Sequence, residues 1–234
     1  EKSTFFFFLC RDLEKYVMIN KMTAIGEFGK GGVAMDAEGL ILAGGKSLRM
    51  GGRHKGSLTY ENETFTQLLI KELKKEVSCV RLSYGQEIQE NHSECPIVMD
   101  VYPNCGPIGG LYSGLRACTC DWMLIAACDM PFLKIELFRY LKNQLQGKKD
   151  AVAVYDGVVP VTGGCIHPLA AIYQTKIGDV LKVQLEEGDY RVRNALKRLN
   201  ILYADVTGMS CFEEMLQNIN TMEEYTRLRW QDRY

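Results

Sequence analysis

From residue 38 onward, short apolar runs alternate with stretches whose apolar residues recur at helical spacing. Several of the runs are continuously apolar, which is typical of strands buried on both faces of a sheet. Such alternation predicts an α/β fold, a three-layer α/β/α sandwich whose central sheet is mixed and mostly parallel. The predicted strands are Leu40–Ala43, Val80–Tyr84, Pro96–Met99, Trp122–Ala127, Ala151–Tyr155 and Ile201–Val206. The predicted helices are Phe65–Glu76, Gly109–Ala117, Lys134–Leu145, Ile177–Glu186, Arg191–Leu199 and Thr221–Trp230.

No repeat or low-complexity linker interrupts residues 38–234, so we expect residues 35–234 to form one domain. Residues 1–34 are expected to be an N-terminal extension, because Gly26–Gly32 is glycine-rich without apolar periodicity. Two origins of this extension stay open. The codons for Gly29–Gly32 could form a ribosome-binding site ahead of a native start at Met35, or the extension could be a genuine amphipathic segment. The run Phe5–Leu9 is too short to span a membrane and lacks a cleavage site, so neither a membrane nor a signal peptide is expected.

The charge balance and the cysteine spacing exclude several classes of protein. The 28 basic and 29 acidic residues give a net charge of -1, so no broad basic field exists and nucleic acid is not an expected partner. The nine cysteines form no C-x-x-C pair, which argues against a zinc ribbon or a disulfide framework. Free thiols of this kind indicate the reducing cytoplasm.

A glycine-rich basic loop follows the first predicted strand. Leu40–Ala43 ends in Gly44 and Gly45, and the cations Arg49 and Lys55 follow. Paired glycines let main-chain N–H groups approach a ligand, successive N–H groups bind anions, and two cations can neutralise a polyphosphate. A nucleoside-triphosphatase phosphate loop does not fit, since residue 40 is Leu where its first glycine would stand. A purely structural turn is the alternative.

Two aspartates also lie at predicted strand ends, where open α/β sheets bind their ligands. Asp100 precedes the glycine-rich turn and helix start Gly106–Gly110, an arrangement that can hold a base or a ribose. Asp129 leaves a fully apolar strand, a suitable place for Mg²⁺ bound by one carboxylate and phosphate oxygens. Both could instead be capping residues of a turn or a helix.

Near the end of the chain, Asn218 and Asn220 lie on either side of an apolar residue, so an extended segment would point them to one polar ligand. Thr221 and Glu224 have the spacing of a capping box for the last helix. His167 could be an acid–base group, although its place before a proline in an apolar segment favours a structural role.

Together these motifs resemble those of the molybdenum cofactor guanylyltransferases, the MobA-type enzymes. Residues 42–55 are similar to the family's L-A-G-G-x-S-x-R-M-G-G-x-D-K, and residues 128–132 to its C-D-M-P-F. Asp100 with residues 106–110 resembles D…G-P-L-x-G, residues 168–173 resemble P-L-x-x-x-Y, and residues 218–221 resemble N-x-N-T. The resemblance covers about residues 38–230 in the right order.

The resemblance implies a glycosyltransferase-A-like, Rossmann-type nucleotide-binding fold. It also implies transfer of GMP from Mg·GTP to the terminal phosphate of molybdopterin, with release of pyrophosphate. Because the nucleophile is the substrate's own phosphate, no activated Ser, Cys or His is required. The implied partners are GTP and molybdopterin, together with cofactor-synthesis proteins and apo-molybdoenzymes, and the implied state is a monomer or a weak oligomer.

By the same resemblance, each candidate residue receives a role. The implied catalytic residues are Arg49, Lys55 and Asp129. Those implied to hold the nucleotide are Leu42, Ala43, Gly44, Gly45, Lys55, Asp100 and Asp129. Asp129 is the implied ligand of Mg²⁺, or of Mn²⁺ in its place, and Asn218 and Asn220 would face the pterin.

The chain departs from the family pattern at two places. His54 stands where the family has Asp, and Ser83–Gln86 lacks the Asn that the family offers to the nucleotide. The alternatives are therefore a cytidylyltransferase of the molybdopterin or methylerythritol-phosphate type, a sugar-phosphate guanylyltransferase, or a non-catalytic molybdopterin-binding chaperone. The triplet Ala43–Gly45 favours GTP over CTP by resemblance.

Overall fold

The computed structural model describes residues 35–44, 55–85, 94–146 and 154–231, with side chains up to residue 228. The predictions for residues 1–34, Gly45, Arg49 and His54 lie outside the described residues. The strands are β1 (Ala37–Leu42), β2 (Thr59–Tyr60), β3 (Glu63–Thr64), β4 (Val80–Ser83), β5 (Ile97–Val98), β6 (Trp122–Ala127), β7 (Gly157–Thr162), β8 (Cys165–Ile166), β9 (Ala170–Gln174) and β10 (Ile201–Asp205). The helices are α1 (Phe65–Leu73), α2 (Pro107–Ala117), α3 (Ile135–Gln146), α4 (Gly178–Glu186), α5 (Val192–Leu196), α6 (Ser210–Met215) and α7 (Met222–Gln231).

The central sheet is mixed and mostly parallel, as the sequence predicted. Its strand order is β10-β7-β9-β6-β1-β4-β5, and the short strand β8 pairs with β7 outside this path. β9 runs antiparallel to both of its neighbours, β6 and β7, whereas β1 pairs in parallel with β4 and β6. The chain therefore leaves β1 for β4 on one side and later for β6 on the other, which creates a switch point at the carboxyl end of β1.

The layers follow from the alternation of side chains along the central strands. On β6, Leu124 and Ala126 belong to one buried cluster, and Met123 and Ile125 belong to the other. The first cluster receives apolar residues from α1, α3 and α6, and the second receives them from α2, α4 and α5. Because β6 is covered on both faces, its sequence is continuously apolar. The predicted α/β/α sandwich is confirmed.

One predicted strand is wrong. The part of Ala151–Tyr155 that the structure describes, Val154 and Tyr155, lies outside any strand, and β7 begins only at Gly157. Proline is disfavoured within a sheet because it lacks the N–H donor, and Pro160 therefore hid this strand in the sequence. The structure accommodates Pro160 because the ladder between β7 and β9 involves only Gly157 and Val158.

A buried ion pair joins β1 and β4 at the end of the sheet that lies away from the switch point. Glu38 on β1 is 3% exposed and accepts hydrogen bonds from Arg81 on β4 and from the hydroxyl and N–H of Thr119. Burial by itself would raise the pKa of Glu38, but these hydrogen bonds outweigh burial and lower the pKa to about 2. The pair thus ties β1, β4 and the approach to β6 together.

Within the described part of the chain, no helix combines the length and the apolar character that a membrane span requires.

Candidate active site

The carboxyl end of β1 lies between the ends of its two neighbouring strands. The N–H of Ala43 donates to the carbonyl of Ser83 at 2.8 Å, and the N–H of Cys128 donates to the carbonyl of Leu42 at 3.1 Å. A Cβ on Gly44 would lie 2.6 Å from the carbonyl carbon of Tyr84. Only glycine allows this close approach of two backbones, so main chain without a side chain lies at the carboxyl end of β1.

Asp100 lies beside this strand end. Ser83 donates from Oγ to Asp100 Oδ1 at 3.1 Å, and the N–H of Asp100 donates to the carbonyl of Gly85. A Cβ on Gly110 would lie 2.6 Å from Ser83 Oγ and 3.4 Å from Asp100 Oδ1, so the start of α2 packs directly on the carboxylate. Burial raises the pKa of Asp100, and the hydrogen bond from Ser83 offsets part of that shift. The carboxylate can accept hydrogen bonds from a base or a ribose.

On the other side of β1, three side chains from distant parts of the sequence meet. Lys55 Nζ donates to Asn220 Oδ1 at 2.6 Å and lies 3.6 Å from Asp129 Oδ2. The Lys55 and Asp129 side chains are only 17% and 25% exposed. A cation held in this way, between a carboxylate and an amide at a strand end, is suited to a polyphosphate.

The carboxylate of Asp129 has one oxygen that the described residues leave unsatisfied. Its Oδ1 is buried and has no hydrogen-bond partner among them. Burial raises the pKa of Asp129, and the nearby charge of Lys55 offsets part of the effect. Such an oxygen fits a divalent cation, which binds carboxylates together with phosphate oxygens and water. The described residues contain no group of three or more His, Cys, Asp or Glu side chains that could hold a metal.

The segment that carries Asn220 is tied both to the site and to α7. The N–H of Ile219 donates to the carbonyl of Asp129 at 2.7 Å. Glu224 accepts from the N–H groups of Asn220 and Thr221, and its own N–H donates to the Thr221 hydroxyl. The predicted capping box is therefore confirmed, and it also fixes the backbone of Asn220.

The two asparagines do not share one environment. Asn220 is half-buried against Lys55, whereas Asn218 is exposed, with buried Ile219 between them. Among the candidates within the described residues, the structure thus brings together Lys55, Asp129 and Asn220.

His167 is held within the β7–β8 hairpin. Its Nε2 lies 2.7 Å from Thr162 Oγ1, and its N–H donates to the carbonyl of Pro160. Burial, with a smaller effect of the Arg193 charge, lowers the pKa of His167. These contacts support the structural role that the sequence favoured.

Sequence reasoning missed two groups at this edge. One is the hydroxyl of Ser83, which donates a hydrogen bond to Asp100. The other is the hydroxyl of Tyr225, which donates a hydrogen bond to the backbone carbonyl of Thr59. A serine that ends a buried strand, where few polar groups occur, was the signal for the first. Tyr225 follows the helical spacing of apolar residues, so its sequence position indicated only packing.

The chain is similar to several known proteins. The family model for the MobA-like NTP transferase domain matches residues 39–202. A probable molybdenum cofactor guanylyltransferase of Clostridium perfringens is 31% identical over 201 residues, which cover 80% of this chain and 93% of the relative. Another protein of that name, from Bacillus cereus, is 29% identical over 194 residues, covering 81% of this chain and 94% of the relative.

A solved structure shows the same fold. Molybdopterin-guanine dinucleotide biosynthesis protein A of Archaeoglobus fulgidus superposes with a TM-score of 0.66 at 21% identity, and the match covers 84% of this chain and all of that one. The family model alone spans well over half of the sequence. The chain belongs to the MobA-like NTP transferase family.

Proposed function

We propose that this protein transfers GMP from GTP to the terminal phosphate of molybdopterin and releases pyrophosphate. The names of its relatives in Clostridium perfringens and Bacillus cereus support the guanylyl transfer. The observation that carries the proposal is the meeting of Lys55 with Asp129 at a glycine-lined strand end. That combination of fixed cation, buried carboxylate and bare main chain is suited to a nucleoside triphosphate.

The nucleoside would bind on the Asp100 side of β1. A flat base would lie against the main chain of Leu42, Ala43 and Gly44, where the glycine leaves no Cβ in the way. Asp100, oriented by Ser83, would accept hydrogen bonds from the base or the ribose. Gly45 is assigned to the same nucleotide by the family resemblance.

The phosphates would bind on the Asp129 side. An oxygen of the acceptor phosphate attacks the α-phosphorus of GTP, the bond from that phosphorus to the bridging oxygen breaks, and pyrophosphate leaves with the electron pair. Lys55 neutralises charge that accumulates on the phosphate oxygens, and Arg49 is assigned the same role. Asp129 Oδ1 would hold Mg²⁺ or Mn²⁺, which would supply further neutralisation of the triphosphate.

The acceptor would approach from the side of Asn220. Lys55 occupies the Oδ1 atom of this amide, so its Nδ2 group remains to donate to the pterin or its phosphate. Asn218 is exposed beside it and is assigned to the same substrate. The eight cysteines in the described ranges are free thiols, which supports a reaction in the reducing cytoplasm.

The test is a nucleotide panel with purified protein, molybdopterin and Mg²⁺, in which pyrophosphate and the dinucleotide product are measured for GTP, CTP and ATP. We expect product with GTP, and a loss of turnover of at least ~100-fold in Asp129→Ala. The matched control is Asp205→Ala, which removes an exposed aspartate at the end of β10. Product with CTP alone would identify a cytidylyltransferase, and pterin binding without turnover would identify a chaperone.

A further inference from the structure

The hydroxyl of Tyr225 on α7 makes two hydrogen bonds to the backbone of one distant residue. It donates to the carbonyl of Thr59 at 2.9 Å and accepts from the N–H of Thr59 at 3.2 Å. Tyr225 is 6% exposed, so its ring is fixed by packing while its hydroxyl holds both backbone groups of one residue. Bonds to the two peptide groups on either side of one Cα restrict both the position and the rotation of that backbone.

Thr59 follows directly on the turn that carries Lys55. The N–H of Leu58 donates to the carbonyl of Lys55 at 3.1 Å and closes this turn. The Thr66 hydroxyl donates to the carbonyl of Gly56. A Cβ on Gly56 would lie 2.5 Å from the hydroxyl oxygen of Thr66. The turn is therefore compact, and a displacement of Thr59 would move Lys55 with it.

A small apolar cluster surrounds the Tyr225 ring, separate from the two clusters that cover the sheet. We call it the hairpin–helix cluster, and its buried members are Leu58, Phe65, Ile219, Tyr225 and Leu228. Phe65 meets Tyr225 edge to face, with ring centroids 6.0 Å apart. The cluster joins the β2–β3 hairpin to α7 and to the turn before it.

Tyr225 thus connects the two segments that provide the Lys55–Asn220 hydrogen bond. Asn220 is attached to the first turn of α7 through Glu224, and Lys55 is attached to α7 through Thr59. We propose that Tyr225 is a positioning residue, whose hydroxyl keeps the Lys55 ammonium group between Asp129 and Asn220. The inference rests on the proposed function, in which that ammonium group binds the triphosphate.

The kinetic test compares Tyr225→Phe with Phe65→Leu. Tyr225→Phe keeps the ring and removes only the hydroxyl, whereas Phe65→Leu loosens the same cluster and keeps the hydroxyl. Because misplacing a charged group by a fraction of an ångström weakens transition-state binding, we expect kcat/KM for Mg·GTP to fall about tenfold in Tyr225→Phe. Phe65→Leu should stay within about twofold when both are assayed below their melting temperatures. Equal kinetic losses in the two variants would overturn the inference.

A second readout does not depend on catalysis. Lys55 is modified with an amine reagent, and its rate is followed by peptide mass spectrometry beside that of Lys176, which pairs with Asp156. We expect faster modification of Lys55 in Tyr225→Phe, with Lys176 unchanged. An unchanged Lys55 rate would overturn the positioning role, even in a protein that transfers GMP. Faster modification in a protein that transfers no nucleotide would instead overturn only the proposed function.

Discussion

The buried ion pair of Glu38 offers a quantitative test of what holds the sheet together. Replacing Glu38 by Gln keeps the size of the side chain and removes its charge. The Arg81 guanidinium, 15% exposed, then has lost its counter-charge, and Thr119 donates to a neutral oxygen instead of a carboxylate. Breaking such a pair is destabilising because one desolvated charge remains.

The magnitude follows from the pKa of Glu38, which the fold lowers from 4.5 to about 2. At about 1.4 kcal/mol for each unit of pKa, the ionised carboxylate contributes roughly 3 kcal/mol to the free energy of unfolding. Since the folded-state pKa is the lower one, this contribution is complete above pH 4.5 and is lost as the pH falls toward 2. By about pH 3, roughly 2 kcal/mol of it should have gone.

The assay is urea unfolding of the wild type and Glu38→Gln between about pH 7 and pH 3. At neutral pH we expect the free energy of unfolding of the wild type to exceed that of Glu38→Gln by about 3 kcal/mol, and this gap should narrow in acid. The control is Glu223→Gln, which removes an exposed carboxylate paired with Arg227 and should cost less than about 0.5 kcal/mol. A gap below about 1 kcal/mol at neutral pH, or one that does not change with pH, would refute the reasoning.

Three further changes probe the site. Burial raises the pKa of Asp100, so its ionised form destabilises the fold at neutral pH. Asp100→Asn should therefore raise the melting temperature at neutral pH, and this gain should disappear below pH 3.8. The same variant should bind GTP more weakly. In Lys55→Met, Mn²⁺ should bind more tightly to the free protein and less tightly in the presence of GTP, because the ammonium group repels a cation at Asp129 but attracts the phosphates. In Gly44→Ala, the new Cβ meets the backbone of Tyr84, so isothermal titration should show at least about tenfold weaker binding of GTP.

Each of these changes has a result that would contradict it. Asp205, whose pKa is lowered by hydrogen bonds from Thr207, is the control for Asp100, since Asp205→Asn should be less stable than the wild type at neutral pH. The same sign in both variants would count against the burial argument. For Lys55→Met, a change of Mn²⁺ affinity in the same direction with and without GTP would show that the ammonium group does not compete with the metal. Wild-type GTP affinity in Gly44→Ala would rule out a tight approach at that position.

Short apolar runs placed β1, β6 and β10 within a few residues of their observed bounds. β9, which is buried on both faces, was not predicted as a strand. The hairpin of β2 and β3 was missed because strands of two residues have no detectable period. β7 was missed because its proline broke the pattern, while the apolar run just before it was the stronger signal.

At the site, local pattern placed residues at the correct edge but did not reveal their contacts. Asp129 and Gly44 could be predicted because each follows an apolar strand. The pairing of Lys55 with Asn220 joins residues 165 positions apart, and only the folded chain brings them together. Asn218 and Asn220 were expected to face one ligand. The N–H of Ile219 between them donates to the carbonyl of Asp129, which leaves Asn220 half-buried against Lys55 and Asn218 exposed.

The long sequence separation between Lys55 and Asn220 has a consequence for protein synthesis. A nascent chain emerges from the ribosome amino end first, so α7 is the last of the described elements to become available. The central strands can pair before then, yet the triphosphate would still lack one wall of its binding site. A polypeptide interrupted after α6 would therefore collapse around its sheet without sequestering nucleotide, and competence for GTP would appear only after α7 has been synthesised.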